Sequence, residues 1–92
     1  MPYFVYIVEC SDSTLYTGST NDIKKRVRAH NTEGVGAKYT RSRKPVTLVY
    51  AEKLRDVGAA LKRECEVKKF TRKKKLELIA SSQKQKSIVH SL

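Results

Sequence analysis

The 92-residue sequence has no tryptophan, one methionine, two prolines, two cysteines and no long apolar segment. No apolar run approaches the roughly 20 residues that a membrane-spanning helix needs, so we expect no membrane partner. The apolar run that begins at Tyr3 has no basic residues before it, and therefore does not match a secretory leader. These absences lead us to expect a soluble, cytoplasmic protein.

The scarcity of cysteine excludes a disulfide framework. Cys10 and Cys65 lie far apart, and together with His30 and His90 they form none of the paired spacings typical of structural zinc. We expect no zinc, and two reduced thiols packed in or near the core.

Acidic residues are also scarce. The chain has 9 of them against 20 lysines and arginines, which gives 20 − 9 = +11. So large a surplus on one small domain favours an anionic polymer as the partner. We expect a monomer that binds nucleic acid, with DNA as the leading candidate and RNA as the other.

Apolar alternation and turn residues predict a β-hairpin from residues 3–9 and 15–19 around a turn at 11–14. A helix should follow from Asp22 or Ile23 to His30, with polar residues before it as N-cap candidates. The β-branched run 46–51, bounded by a proline, predicts a third strand.

Two more helices are predicted after this strand, one over residues 57–69 capped by Asp56 and a shorter one capped by Thr71. In the shorter helix, Leu76, Ile79 and Ala80 should dock on the rest of the chain. The order β-β-α-β-α-α defines an α+β fold with a small, three-stranded, mainly antiparallel sheet flanked by helices. We expect a domain over 1–80 and a polar, basic, partly disordered tail over 81–92.

One glutamate stands out in the helix predicted over 57–69. Its apolar stripe consists of Val57, Ala60, Leu61 and Val67, and the helical period places Glu64 in the middle of it. An inward-facing carboxylate is costly unless it is paired or binds a metal. An ion pair, a metal site and an error in the helix phase all remain open at this point.

The residues that would contact nucleic acid are basic and lie mainly in a loop predicted between the first helix and the third strand. Clustered cations of this kind favour sequence-independent phosphate contacts. The candidates are Lys24, Lys38, Arg41, Arg43 and Lys44.

The chain also carries the residue types that phosphodiester hydrolysis requires. Tyr6 and Tyr16 can hold or activate water, Arg26 can bind a phosphate with two hydrogen bonds, and Glu64 can carry a divalent ion. Because a free phenol titrates near 10, a tyrosine base needs an environment that favours phenolate. The high positive charge of the chain is expected to act in that direction.

Over residues 3–80 the sequence resembles the GIY-YIG nuclease domain, in particular the small stand-alone bacterial proteins called UPF0213. The matching segments are Phe4-Val5-Tyr6, Tyr16-Thr17-Gly18, residues 21–30, residues 36–40, residues 45–50 and residues 60–64. The chain departs from the family pattern at Phe4, where the family has glycine, and has no asparagine beyond residue 70.

The resemblance implies a catalytic role for five residues: Tyr6, Tyr16, Arg26, His30 and Glu64. One of the two tyrosines would activate water, with the choice left open, and Arg26 would bind the scissile phosphate. His30 would assist hydrogen bonding or proton transfer. Glu64 would be the only protein carboxylate on a single Mg²⁺ or Mn²⁺ ion. Gly18 would let the backbone approach the site closely.

The leading hypothesis is therefore a metal-dependent endonuclease that acts on DNA, on structured, damaged or single-stranded forms, as in DNA repair. The alternative is a nucleic-acid-binding module on the same scaffold that is inactive or depends on a partner. An RNA- or ribosome-associated protein fits the charge equally well but explains the tyrosine, arginine and glutamate set poorly.

Overall fold

A computed structural model describes residues 2–32 and 43–81 and confirms the order β-β-α-β-α-α. The elements are β1 (Tyr3–Glu9), β2 (Leu15–Thr20), α1 (Ile23–Thr32), β3 (Thr47–Leu54), α2 (Val57–Lys68) and α3 (Arg72–Ser81). Lys38, Arg41 and His90 lie outside the described residues. So does the predicted tail, except for Ser81, which ends α3.

The sheet is antiparallel, with strand order β2-β1-β3. Its central strand β1 is the most apolar part of the chain, and residues 5–8 are at most 1% exposed. The register places Tyr6 opposite Gly18 on β2 and opposite Ala51 on β3. A bulge between Ile7 and Val8 interrupts the pairing of β1 with β3. This register positions the aromatic side chain of Tyr6 across a glycine.

Alternating side chains of β1 enter two separate cores. Val5 and Ile7 pack with Ala60 and Val67 of α2. Tyr6 and Val8 belong to the second core, which Val27 of α1 joins. The sheet therefore separates α1 from α2, and β2 lies at the edge between them.

Side-chain caps begin the helices where the sequence predicted them. Asp22 Oδ1 accepts from the amide of Lys25 at 3.1 Å before α1. Asp56 Oδ1 accepts from the amide of Ala59 at 2.8 Å before α2, and Thr71 Oγ1 from that of Lys74 at 3.1 Å before α3.

The prediction of which face of α2 is buried is wrong by part of a helical turn. Val57 and Leu61 are 49% and 54% exposed, whereas Ala60 and Val67 are fully buried. The buried face is thus centred on Ala60 and Val67, and Glu64 lies at its flank instead of its middle. The reason is that only this face of α2 reaches the sheet, so apolar character alone did not identify the contact.

Three smaller expectations also need correction. In α3, Leu76 and Ala80 are exposed, and Leu78 packs on the core beside Ile79. Cys10 is buried as predicted, but Cys65 is exposed on α2. Strand β3 begins after Val46 and extends three residues beyond Ala51, to Leu54.

Across 2–32 and 43–81, no helix combines the length and apolarity needed to cross a membrane.

Candidate active site

Gly18 provides the space that the Tyr6 ring occupies. A Cβ atom at residue 18 would lie 2.5 Å from Tyr6 Oη and 2.7 Å from Tyr6 Cζ, both too close for any real contact. The phenol therefore lies directly across the β2 backbone, which only a residue without a side chain allows. The glycine is needed here for close approach of the ring.

The Tyr6 hydroxyl and His30 form a buried pair. Tyr6 Oη lies 3.0 Å from His30 Nε2, and each residue is 1% exposed. His30 occupies the last part of α1, a helical turn after Arg26, so the helix aims it at the sheet. The predicted site histidine is thus joined directly to one of the two predicted tyrosines.

The surroundings of Tyr6 do not favour phenolate. Burial raises the pKa of Tyr6 to about 12, and the charge and hydrogen bonding of Arg26 only partly oppose this. The expectation that the net charge of the chain favours the phenolate is therefore wrong for Tyr6, because desolvation outweighs the cations. The Tyr6 phenol is a hydrogen-bond donor at neutral pH.

His30 is shifted towards its neutral form. Burial lowers the pKa of His30, and the nearby charge of Arg26 lowers it further. A neutral imidazole can accept a hydrogen bond at Nε2 when Nδ1 carries the proton. With that tautomer, the Tyr6 hydroxyl donates to His30 Nε2, and the imidazole can take up a proton from it.

Tyr16 and Arg26 lie beside this pair and are more accessible. The Tyr16 ring meets the His30 ring edge to face, with 5.6 Å between the centroids, and is partly exposed. Arg26 is exposed on α1, and its charge acts on Tyr6, His30 and Glu64. An anion bound by Arg26 would consequently lie among the predicted site residues.

Glu64 is anchored at both carboxylate oxygens. Ser19 Oγ donates to Oε1 at 2.7 Å, and Lys68 Nζ lies 2.8 Å from Oε2. The Glu64 side chain is 15% exposed. Of the three explanations that the sequence left open, an ion pair and an altered helix phase both apply.

Glu64 remains ionised despite its burial. Burial by itself raises the pKa of the carboxyl group, but hydrogen bonds from Lys68 and Ser19 and the charges of Lys68 and Arg26 outweigh it and bring the pKa below its usual value. The position offers an anionic oxygen next to a hydroxyl oxygen.

A carboxylate oxygen beside a hydroxyl oxygen is the type of donor that a hard divalent cation takes. Mg²⁺ and Mn²⁺ prefer oxygen ligands, and Mg²⁺ commonly takes one or two carboxylates with water and phosphate completing its shell. Within 2–32 and 43–81, no three histidine, cysteine, aspartate or glutamate side chains are grouped to hold a metal ion. An ion at Glu64 would thus depend on water and substrate for its other ligands.

The predicted nucleic-acid contacts differ in their surroundings. Lys24 and Lys44 are exposed. Arg43 Nε is 3.0 Å from Asp12 Oδ2, and the Arg43 carbonyl accepts from the amide of Ser11. Arg43 therefore also holds the hairpin turn against the segment that precedes β3.

Ser19 and Lys68 both contact Glu64, and neither was predicted from the sequence as a site residue. Lys68 is four residues after Glu64, a spacing that brings side chains together on a helix. The spacing alone could have identified Lys68. Ser19 depends on how α2 docks against β2 across 45 residues of sequence, and no local pattern indicates it.

Comparison with known proteins identifies the family of the chain. Residues 2–77 match the GIY-YIG catalytic domain family. The UPF0213 protein of Syntrophus aciditrophicus is 54% identical over 76 residues, covering 83% of this chain and 87% of that protein. The UPF0213 protein of Staphylococcus aureus is 57% identical over 77 residues, covering 84% and 93% respectively.

A solved structure is similar as well. The solution NMR structure of a UPF0213 protein from Bacillus halodurans has a TM-score of 0.56 and 42% sequence identity, and the match covers 87% of this chain and 84% of that one. The family match over residues 2–77 and the extent of the sequence matches lead to one assignment. This chain belongs to the GIY-YIG family and, within it, to the UPF0213 proteins.

Proposed function

We propose that this protein is a metal-dependent endonuclease that hydrolyses phosphodiester bonds in DNA, on structured, damaged or single-stranded forms. The observation that carries the proposal is the position of Arg26. Its charge acts on the buried Tyr6 and His30 pair and also on the Glu64 carboxylate. A phosphate held there would have a proton acceptor and an anionic metal ligand close to it.

Arg26 serves as the phosphate-binding residue in this proposal. A guanidinium group can form two parallel hydrogen bonds to phosphate oxygens, which fixes the orientation of the reacting group. Arg26 is exposed and has room to receive a substrate. Its positive charge would also stabilise the charge that develops on the phosphoryl oxygens.

Proton transfer from the attacking water would end on His30. With a pKa of about 12, Tyr6 is a poor base by itself, but its hydroxyl lies 3.0 Å from the neutral His30 imidazole. Tyr6 can give its proton to His30 as it takes one from water. Tyr16, partly exposed beside His30, would orient the water from the solvent side.

Glu64 is the residue that would hold the metal. A single Mg²⁺ or Mn²⁺ ion would act as a Lewis acid on the phosphoryl and leaving oxygens. Ser19 keeps the carboxylate oriented by its hydrogen bond to Oε1. Binding along the rest of the substrate would rely on exposed lysines such as Lys24 and Lys44, and should weaken steeply with salt.

A cleavage panel tests the proposal. Linear, nicked, flapped, branched and single-stranded DNA, with matching RNA, would be incubated with Mg²⁺ or Mn²⁺ and the full chain. Glu64→Ala and Arg26→Ala should each lose cleavage by about a hundredfold or more. Glu66→Ala is the matched control, because Glu66 lies on the same helix but pairs with Arg63 at 3.3 Å. Equal cleavage by all four proteins, or no cleavage by any, would refute the enzyme.

A nucleic-acid-binding module without turnover is the second candidate. It is favoured by the ion pair that occupies Glu64 and by the raised pKa of Tyr6, both of which describe a site not poised for chemistry. It predicts salt-dependent binding by the wild type without cleavage of any substrate. Preference for the RNA members of the panel would favour an RNA-associated role instead.

A further inference from the structure

The Glu64 carboxylate already has a cation on it. Lys68 Nζ lies 2.8 Å from Oε2, and Ser19 Oγ donates a hydrogen bond to Oε1 at 2.7 Å. Both oxygens that could bind a metal are thus engaged within the protein. The two partners differ in charge. The Ser19 hydroxyl is neutral and can remain beside a bound metal ion, whereas the positive Lys68 ammonium would be repelled by it.

A divalent ion and the Lys68 ammonium would compete for the same oxygen. Mg²⁺ binds oxygen at about 2.0–2.1 Å, so an ion on Oε2 would lie very close to the ammonium that donates to the same oxygen. The two cations would also repel each other at such short range. Direct binding of a metal ion at Oε2 is therefore opposed as long as the Lys68 ammonium stays beside that oxygen.

The position of Lys68 allows its ammonium to move away. Its side chain is 52% exposed, against 15% for Glu64, so the ammonium can move into water while the carboxylate stays in place. Ser19 continues to hold Oε1. The exchange changes the partner of Glu64 and leaves the position of the carboxylate unaltered.

We propose that Lys68 is an internal competitor of the divalent cation at Glu64: it occupies the carboxylate when metal is absent and lowers the affinity of the site for metal. The inference rests on the proposed function for the role of Glu64 as metal ligand. It adds a positioning residue outside the set that the sequence motifs identified.

Direct measurement of Mn²⁺ binding tests this without recourse to activity. Free Mn²⁺ would be followed by electron paramagnetic resonance during titration of the full chain without nucleic acid. Lys68→Met should bind Mn²⁺ about two- to threefold more tightly than the wild type, the gain expected from removing a partly exposed ion pair. Lys68→Arg keeps the charge and should bind no more tightly than the wild type.

The matched control is Lys62→Met, which removes one positive charge from an exposed position on the same helix. It should bind Mn²⁺ like the wild type. Glu64→Gln introduced into the Lys68→Met protein should abolish the gain, which locates the bound ion. Thermal unfolding of every variant, with Lys68→Gln in reserve if Lys68→Met fails to fold, ensures that folded proteins are compared.

Two results would overturn the inference. One is Mn²⁺ binding by Lys68→Met that is absent, weaker, or no tighter than that of Lys62→Met. The other is a gain that survives Glu64→Gln. Either can occur while Glu64→Ala still abolishes cleavage, in which case the endonuclease stands and only the role of Lys68 falls. Conversely, tighter Mn²⁺ binding without cleavage would retain the competition and refute the enzyme.

Discussion

The two sides of strand β2 are built in opposite ways. On one side, Gly18 accommodates the Tyr6 ring, and the ring and His30 are each 1% exposed. On the other side, Ser19 donates to Glu64, which also pairs with the half-exposed Lys68. Adjacent residues of a strand face opposite ways, so one step along β2 separates a packed side from a charged side.

The difference concerns which contacts can be exchanged. The packed side is fixed by shape, since neither ring can move without opening the core. The charged side is held by ions and hydrogen bonds near solvent, where one cation can replace another. A site that must align a proton acceptor and also admit a metal would benefit from both arrangements. Substitutions on the two sides of β2 should therefore respond differently to side-chain size, pH and salt.

The largest effect is expected for Gly18→Ala. The new Cβ would meet Tyr6 Oη at 2.5 Å and Cζ at 2.7 Å, and the buried ring has no free space to enter. Overpacking of this kind costs about 2–3 kcal/mol of unfolding free energy. Urea unfolding monitored by circular dichroism would measure it.

The same change at Gly58 is the control. A Cβ there would meet only Asp56 Oδ1, at an ordinary 3.5 Å, in the first turn of α2. Gly58→Ala should stabilise the protein by up to about 1 kcal/mol, because alanine is the better helix former. Loss of stability by the two variants to the same extent would show that the packed side has no special fit at Gly18.

Tyr6→Phe should follow in size. It removes the hydroxyl that lies 3.0 Å from His30 Nε2, and with it a buried hydrogen bond. The expected cost is about 1–2 kcal/mol, measured by the same unfolding experiment. Tyr50→Phe is the comparison, because Glu52 loses the Tyr50 hydroxyl but keeps Arg63 at 3.2 Å. If Tyr50→Phe costs as much or more, the Tyr6 and His30 pair contributes nothing particular.

Local signals allowed most of the fold to be predicted. The hairpin register follows from alternation and a short turn, and helix starts follow from cap residues such as Asp22, Asp56 and Thr71. The phase of α2 did not follow, because Val57 and Leu61 are as apolar as the residues that it buries. Apolar periodicity identifies a face, but the docking of the helix decides which part of that face is covered.

The site could be predicted as a set of residues but not as an electrostatic environment. The motifs identified Tyr6, His30 and Glu64, and the structure joins the first two by a hydrogen bond. The net charge led to an expectation of a more acidic Tyr6, whereas burial raises its pKa to about 12. Burial depends on tertiary packing and cannot be calculated from the charges along the sequence.

Acid should lower the folding stability of the protein gradually, and by less than Tyr6→Phe does. Burial and then the charge of Arg26 hold the pKa of His30 below 6.5 in the folded chain, whereas the unfolded chain titrates near 6.5. As pH falls through 6.5, the unfolded state takes up a proton that folded His30 does not, so folding stability declines until the lowered pKa is reached. Above 6.5 both states are neutral and His30 adds no pH dependence.

Melting temperatures from about pH 8 to about pH 5 would show this decline, and His30→Gln should flatten it. The variant lacks the titrating ring but retains a side-chain amide within the helix. Parallel curves for the two proteins would mean that His30 takes up its proton alike in the folded and unfolded states, which would contradict the lowering of its pKa by burial.

Lys68→Met should have the smallest effect on stability, and its sensitivity to salt separates the two sides of β2. The Lys68 and Glu64 pair spans i and i+4 on α2, and its ammonium is half exposed, so its loss should cost about 0.5 kcal/mol at low salt. At about 1 M salt the Debye length falls to about 3 Å, and the difference from the wild type should nearly vanish. The loss caused by Tyr6→Phe should persist, because no ion screens a buried neutral hydrogen bond. If instead Lys68→Met costs as much as Tyr6→Phe and salt leaves that cost unchanged, then Lys68 is a fixed part of the fold and cannot give way to a metal ion.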